Sequence, residues 1–420
     1  MMHSWFTGAK LGVFLHWGIY SVDGVAESWS FFNGDVPHDT YMEQLGGFTA
    51  ARYDPDAWAD LFVQAGARYA VLTAKHHDGV ALWDTRANGL SVVRHTPAAR
   101  DLITPYVDAL RRRGLKVGLY YSHLDWSHPD YASVRPEGHD PADRGNPFAM
   151  PAAGEEDPER WEAFLGFHRA QIRELITLFR PDLLWFDGDW ERSDAQWRMG
   201  ELADEIRTLC PQTIVNGRMA RRGDYATPEQ GVPIEPPPGP WELCLTMNNS
   251  WGYQPHDRQY KTPRQLVRVF AETIGAGGNL LLDVGPREDG TILPEQAERL
   301  EVLGDWIERH AEAVYGTTRG LPHGHFYGPS TLSADRRTLY LFLFDRPSEY
   351  AVLRGVRNQV SAARVLGTGD ELRHERVGGL GDVPGWEYLY LDDDQLDPLC
   401  TVVAVELKEA LDTYRAHTRD

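Results

Sequence analysis

LITPYVDALRRRG (102–114) followed by KVGLYYS (116–122) reads as a helix stopped by Gly114 and then a strand. The pairing repeats outward in both directions. Upstream, GVFLHW (12–17) and YAVLTA (69–74) are predicted strands. Between them DPDAWADLFVQAGA (54–67) is a helix, with Asp54 as N-cap and Pro55 at the first helical position. Downstream come a long amphipathic helix (159–179), the strand LLWFD (183–187), a helix started by Ser193 (193–209) and the strand TIVNGR (213–218). DYATPE (224–229) is a weak strand and WELCLTM (241–247) a clear one. A helix capped by Thr262 (262–278), the strand NLLLDVG (279–285) and a helix over 294–314 complete the series. Apolar strands alternating with helices imply a parallel sheet buried on both faces. Eight strands over some 300 residues predict an irregular (β/α)8 TIM-like barrel over residues 1–315. The irregularity belongs between 218 and 224 and between 229 and 241, where no helix is visible. A doubly wound open sheet is the alternative, but no GxGxxG turn follows the first strand.

After residue 316 the pattern changes to strands alone: TLYLFLFD (338–345), YAVLRGV (350–356), ARVLG (363–367), WEYLYL (386–391) and CTVVAVEL (400–407). They predict a C-terminal β-sandwich over 316–420, with a frayed helical tail at its end. Residues 123–158, rich in Pro, Gly and Asp, read as a lid or subsite wall on the functional face.

Composition narrows the function. The chain has 420 residues, 42 Lys+Arg against 62 Asp+Glu, and a net charge of −20. Such a surface repels phosphate backbones, so nucleic acid is not an expected partner. No apolar run approaches a membrane span. Three scattered cysteines, Cys210, Cys244 and Cys400, fit neither a disulfide framework nor a zinc site. With no signal sequence visible at the N-terminus, a cytoplasmic location is expected. A homo-oligomer is compatible with the sequence. Fourteen Trp and eighteen Tyr suit either an aromatic-rich core or stacking platforms for sugars.

In a barrel the chemistry sits at the C-terminal ends of the strands. Those ends deliver His16, then Lys75, His76, His77 and Asp78, then Tyr120 and Tyr121, then Asp187, Arg218, Glu229 and Glu242. In LLWFD, Trp185 and Asp187 share one face and Leu184 and Phe186 the other, which sets a carboxylate beside an aromatic wall. Two carboxylates on one cavity is the arrangement glycoside hydrolysis requires. For the acid, Glu229 has a stiff, Pro-rich flank that would keep it dry. Glu242 competes, although an ion pair with Arg218 or Lys75 suits it better. His16, His76, His77 and Asp187 also permit a metal-dependent hydrolase, but strand one offers HW rather than HxH. Imidazoles bonding sugar hydroxyls are an equal use.

Eight segments resemble glycoside hydrolase family 29 α-L-fucosidases of bacterial type, in the family's order: WFTGAKLGVFLHWGIYSV (5–22), YAVLTAKHHDGVALWDT (69–85), GLKVGLYYSHLDW (114–126), LLWFDGDW (183–190), VNGR (215–218), DYATPEQ (224–230), WELCLTMNNSWGY (241–253) and GGNLLLDVGPREDGTI (277–292). The resemblance implies an irregular barrel with a C-terminal β-sandwich. It implies Asp187 as nucleophile and Glu229 as acid/base, with Glu242 as the position proposed in other subfamilies. It implies fucose contacts from His16, His76, His77, Tyr121 and Trp185. Arg218 matches the arginine of the family's NDRW, where this chain reads NGRM. The family's Glu-Trp pair corresponds to Glu27 and Trp29, here separated by Ser28. The implied reaction is retaining, exo-acting hydrolysis of terminal α-L-fucosides by double displacement, with no metal or organic cofactor. A transfucosylase or a fucose-binding relative would share these residues. The segment Phe31–Leu45 and the 123–158 loop are expected to shape the leaving-group side.

Overall fold

The computed structural model describes residues 4–132, 157–345 and 349–414. The apolar runs of the first 285 residues form strands β1 (Leu11–Leu15), β2 (Tyr69–Lys75), β3 (Lys116–Ser122), β4 (Leu183–Asp187), β5 (Ile214–Val215), β6 (Glu242–Thr246) and β7 (Asn279–Val284). They make one parallel sheet in the order β5-β4-β3-β2-β1-β7-β6. Nearly every residue in it is buried, as a sheet covered on both faces demands. Helices start where their caps say. Asp54 accepts from the backbone of Asp56 and Ala57 at 3.1 and 3.0 Å, and Thr262 closes a capping box with Gln265.

The sheet's two edges, β5 and β6, are joined through residues 224–230. Isolated parallel bridges pair Asn216 with Tyr225, Ala226 with Trp241 and Glu229 with Cys244. The Asp224 N–H donates to the Val215 carbonyl at 2.7 Å, and the Glu242 N–H to Ala226 at 2.9 Å. The eighth element is thus a chain of single bridges rather than a strand, since Pro228 has no N–H to continue a ladder. Residues 231–240 then run back to the start of β6 without a helix, where a regular barrel would have one.

Strand parity divides the core. Phe14, Tyr69, Val71, Tyr120, Leu183, Trp185, Tyr225, Cys244 and Leu281 pack together inside the barrel. Leu72, Val117, Leu119, Tyr121, Leu184 and Phe186 pack outward against the helices. The helix Ser4–Ala9 plugs the end where strands begin; Phe6 meets the Tyr225 ring at 4.4 Å and its carbonyl takes the Asn279 amide at 2.6 Å.

The C-terminal region holds β8 (Thr317–Arg319), β9 (Ser330–Ser333), β10 (Thr338–Leu343), β11 (Tyr350–Leu353), β12 (Val360–Val365), β13 (His374–Val377), β14 (Trp386–Tyr390) and β15 (Thr401–Leu407). A five-stranded antiparallel sheet, β12-β15-β10-β9-β8, faces a three-stranded one, β11-β14-β13. Alternation along β10 sends Tyr340 and Phe342 toward the barrel helices and Leu339, Leu341 and Leu343 between the sheets.

Several expectations are corrected. The helix over 193–209 is two helices, Asp194–Trp197 and Met199–Leu209, broken where Arg198 turns left-handed at φ 51°. Strand five keeps only two residues of TIVNGR. Strands β8, β9 and β13 were not foreseen. The tail is not helical over 409–414, where Thr413 instead bridges Val356. Most of the expected lid, residues 133–156, lies outside the described residues.

Candidate active site

At the C-terminal mouth of the barrel a cavity of about 180 Å³ is lined by Phe14, His16, Trp29, His76, Tyr120, Trp185, Asp187, Trp190, Arg218, Glu229, Cys244 and Trp251. That is smaller than the roughly 300–1,000 Å³ of pockets for drug-sized ligands and suits a single ring. A larger cavity of about 550 Å³ lies where the helix Pro263–Gly275 meets the C-terminal sheets, away from the strand ends. The convergent polar groups are in the smaller one.

Asp187 ends β4 and is 8% exposed. Its Oδ1 accepts from Arg218 Nη1 at 2.7 Å and its Oδ2 from the Tyr120 hydroxyl at 3.0 Å. The other arm of the same guanidinium, Nη2, donates to Glu229 Oε2 at 2.7 Å, and Nε reaches Thr227 Oγ1 at 3.2 Å. Arg218 lies over the Trp185 ring, 4.6 Å from its centroid. One cation thus spans both carboxylates. Burial works against its charge, but Asp187 and Glu229 prevail and hold its pKa above the ordinary arginine value. Close approach of strands makes this geometry. A Cβ at Gly217 would sit 3.0 Å from the Tyr225 carbonyl, so the glycine of NGRM lets the Arg218 backbone lie against the bridging segment.

The histidines are each held by Nδ1. His16 Nδ1 is 2.7 Å from Asp283 Oδ1, His76 Nδ1 is 2.7 Å from Ser28 Oγ, and His77 Nδ1 is 2.6 Å from Ser122 Oγ. Burial drives all three well below the usual histidine range and Asp283 well above the usual carboxylate one. Ser122 gives its own hydrogen to the Leu124 carbonyl, so His77 Nδ1 donates to it and His77 Nε2 is a bare acceptor.

Of the residues singled out from sequence, His16, Trp29, His76, Trp185, Asp187, Arg218 and Glu229 meet in the cavity. Four do not. Tyr121 points the other way, into the helix layer, where its hydroxyl donates to Gln171 at 2.9 Å; Tyr120, in register with Trp185, holds the inward position. Glu242 lies behind Trp185. It is fully buried and accepts from the Trp185 indole at 2.9 Å and the Tyr69 hydroxyl at 2.5 Å, and hydrogen-bonds neither Arg218 nor Lys75. Burial lifts its pKa to about 7 against those two donors. Glu27 accepts from the Gly252 N–H at 2.5 Å and so anchors the loop bearing Trp251; burial lifts it to about 7 as well. His77 stands one layer back, with Nε2 3.8 Å from Asp187 Oδ2. Glu229 is not in the dry seat its flank suggested: its side chain is 41% exposed and paired with Arg218. Lys75 turns outward to Asp125 at 3.3 Å.

Sequence reading missed Phe14, Trp190, Cys244 and Trp251 as lining residues, and it left Tyr120 and Tyr121 undivided until the family resemblance favoured Tyr121. Parity would have found Tyr120, because Val117 and Leu119 mark the other face of β3. It would also have found Phe14, which shares a face with His16. Trp190 and Trp251 sit on loops, where no periodicity points.

A family model described as alpha-L-fucosidase matches residues 1–312, the stretch that builds the barrel and its cavity. The chain belongs to the alpha-L-fucosidase family. Among these fucosidases, bovine tissue alpha-L-fucosidase is 31% identical over 341 residues, covering 75% of this chain and 69% of its own. Alpha-L-fucosidase isoenzyme 1 from Paenibacillus thiaminolyticus superposes with a TM-score of 0.86 at 34% identity, over 96% of this chain and 98% of that one. The fold is also that of a Bacteroides thetaiotaomicron alpha-L-fucosidase described as a trapped covalent intermediate, with a TM-score of 0.83 at 24% identity over 96% and 95% of the two chains. As a member of this family the protein is a glycoside hydrolase. Among the described residues no helix is long and apolar enough to cross a membrane, and no three His, Cys, Asp or Glu side chains are grouped to hold a metal ion.

Proposed function

We propose that the cavity removes terminal α-L-fucosyl residues with retention of configuration, Asp187 acting as nucleophile and Glu229 as acid/base. The observation that carries this reading is the single guanidinium bridging the two carboxylates at 2.7 Å on each side, inside a cavity for one ring. Retaining glycosidases need their carboxylates about 5–5.5 Å apart, with no room for a water between nucleophile and sugar. Asp187, buried and oriented by Tyr120 and Arg218, attacks the anomeric carbon. Glu229, nearer solvent, takes up a proton as it leaves Arg218 for the glycosidic oxygen, and delivers that proton as the bond breaks. It then takes a proton from the water that cleaves the ester, which restores the starting charges. Phe14, Trp29, Trp185 and Trp251 offer apolar faces to a sugar that carries a methyl group and no charge. The imidazoles of His16 and His76, with His77 behind them, supply hydroxyl contacts. The closed floor, filled by Phe14, Tyr120 and Trp185, favours a terminal sugar over an internal one. Three free cysteines, one of them lining the cavity, support a reducing, cytoplasmic setting. The division of labour is proposed to follow the chain, with residues 1–315 catalytic and 316–420 a supporting sandwich.

Asp187→Gly is expected to abolish hydrolysis of an aryl α-L-fucoside while leaving the melting temperature within a few degrees. Added azide is expected to restore turnover as a fucosyl azide. Undiminished hydrolysis in this variant would remove Asp187 as the nucleophile.

A further inference from the structure

His123, which follows β3, touches the backbone of Asp187 and Arg218, two of the three residues in the bridging contact. It is fully buried, its ring stacked on Phe186 at 4.6 Å with planes 10° apart. Its backbone N–H donates to the Asp187 carbonyl at 2.8 Å. Its ring Nε2 lies 3.2 Å from the Arg218 carbonyl, and its Nδ1 lies 3.0 Å from Nε2 of His168 on the helix Pro158–Glu174.

The hydrogens on this chain of contacts are forced. A carbonyl only accepts, so His123 Nε2 carries a hydrogen. Burial keeps both rings neutral, taking His123 down to about 3 and His168 well below the usual range. A neutral imidazole has one N–H, so His123 Nδ1 accepts and His168 Nε2 donates. His168 Nδ1 is then a bare acceptor. It has no hydrogen-bond partner among the described residues, and neither has the buried indole N–H of Trp197, whose ring centre is 5.5 Å away. An acceptor and a donor left over on neighbouring rings agree with this assignment. The opposite tautomer of His168 would set two lone pairs against each other at His123.

We infer that His168 fixes the tautomer of His123, and that His123, by holding the Arg218 carbonyl, is a positioning residue for the guanidinium that spans Asp187 and Glu229. The positioning role rests on the fucosidase reading of the pocket; the tautomer lock does not. The lock matters because Arg218 enters the cavity from residues after the two-residue strand β5, where few ladder bonds hold the chain.

Long-range ¹⁵N NMR on histidine-labelled enzyme tests the lock. Both rings should be Nε2–H tautomers in the wild type. His168→Gln, which keeps a donor, should preserve the His123 state, and His168→Leu should release it. Kinetics on an aryl α-L-fucoside test the positioning. His123→Phe keeps the stacked ring but loses the donor, and should lower kcat about ten- to thirtyfold, with KM changed less than about twofold. His123→Gln, whose amide N–H reaches the same carbonyl, should recover most of the loss. In an Arg218→Ala background His123→Phe should cost nothing further. An Nδ1–H tautomer of His123 in the wild type overturns the lock. A full, additive loss in the double variant overturns the positioning role and leaves a packing role alone. A wild type without fucosidase turnover would overturn the functional reading and the positioning role with it, while the NMR result would still decide the lock.

Discussion

Neighbouring tyrosines on β3 show how much one residue of register decides. Tyr120 donates to Asp187, and Tyr121 donates to Gln171 on the opposite side of the sheet. Tyr120→Phe is therefore expected to lower kcat/KM by about ten- to a hundredfold, with little change in melting temperature. Tyr121→Phe should lower stability by about 1 kcal/mol and leave kcat/KM nearly intact; paired kinetic and denaturation measurements separate the two. Glu242 carries the pH prediction. Its ordinary pKa of 4.5 rises to about 7 in the fold, so the native state keeps a proton that the unfolded chain releases. The resulting stability is complete below pH 4.5 and fades as pH climbs to about 7. Glu242→Gln has nothing to titrate, and its amide can still accept from Trp185 and donate to Tyr69. The stability of this variant relative to wild type should rise between pH 4.5 and 7, by on the order of 3 kcal/mol, and then level off. Urea denaturation at several pH values measures the difference; a flat difference would show that Glu242 keeps its ordinary pKa in the fold.

At the scale of elements, the barrel was legible where strands are continuous and illegible where it closes. Runs such as YAVLTA and LLWFD announce buried parallel strands by composition alone. DYATPE holds a proline and pairs through single bridges, so its sequence carries only a faint strand pattern. The missing helices after residues 218 and 229 were readable as absences. The break at Arg198 was not, because a left-handed arginine leaves no mark in a helical pattern. The closure depends on tight contact at Gly223, where an added Cβ would lie 1.9 Å from the Asn216 carbonyl oxygen and 2.7 Å from the Gly217 nitrogen. Gly223→Ala should destabilise the fold by about 1–3 kcal/mol and cut activity as well, since it pushes Arg218 away from the segment that carries Glu229. Gly231→Ala, with open space around it, should stay within about 0.5 kcal/mol of wild type. Equal midpoints for the two variants in urea would contradict this account of the closure.

At the scale of the molecule, the five-stranded sheet is apolar on both faces because it packs on the barrel as well as on its own partner sheet. Phe342, Val402 and Ala404 belong to the barrel-side core, the Trp306 indole donates to the Cys400 carbonyl at 3.0 Å, and Arg364 reaches both oxygens of Glu312 at 2.8 and 2.9 Å. CTVVAVEL reads as a continuous apolar strand for that reason. The short strands β8, β9 and β13 were hidden by short, polar sequence: TTR, STLS and HERV. In the site, the polar residues at strand ends were found from sequence, whereas the apolar Phe14 and Cys244 within strands and the loop residues Trp190 and Trp251 were not. All of it frames the claim that Asp187 forms a covalent bond to the sugar. The most direct measurement is to incubate the enzyme with a 2-fluoro-fucosyl fluoride, digest it and locate the added sugar by tandem mass spectrometry. The sugar is expected on Asp187; a label on another residue, or time-dependent inactivation with no label at all, would contradict the assignment.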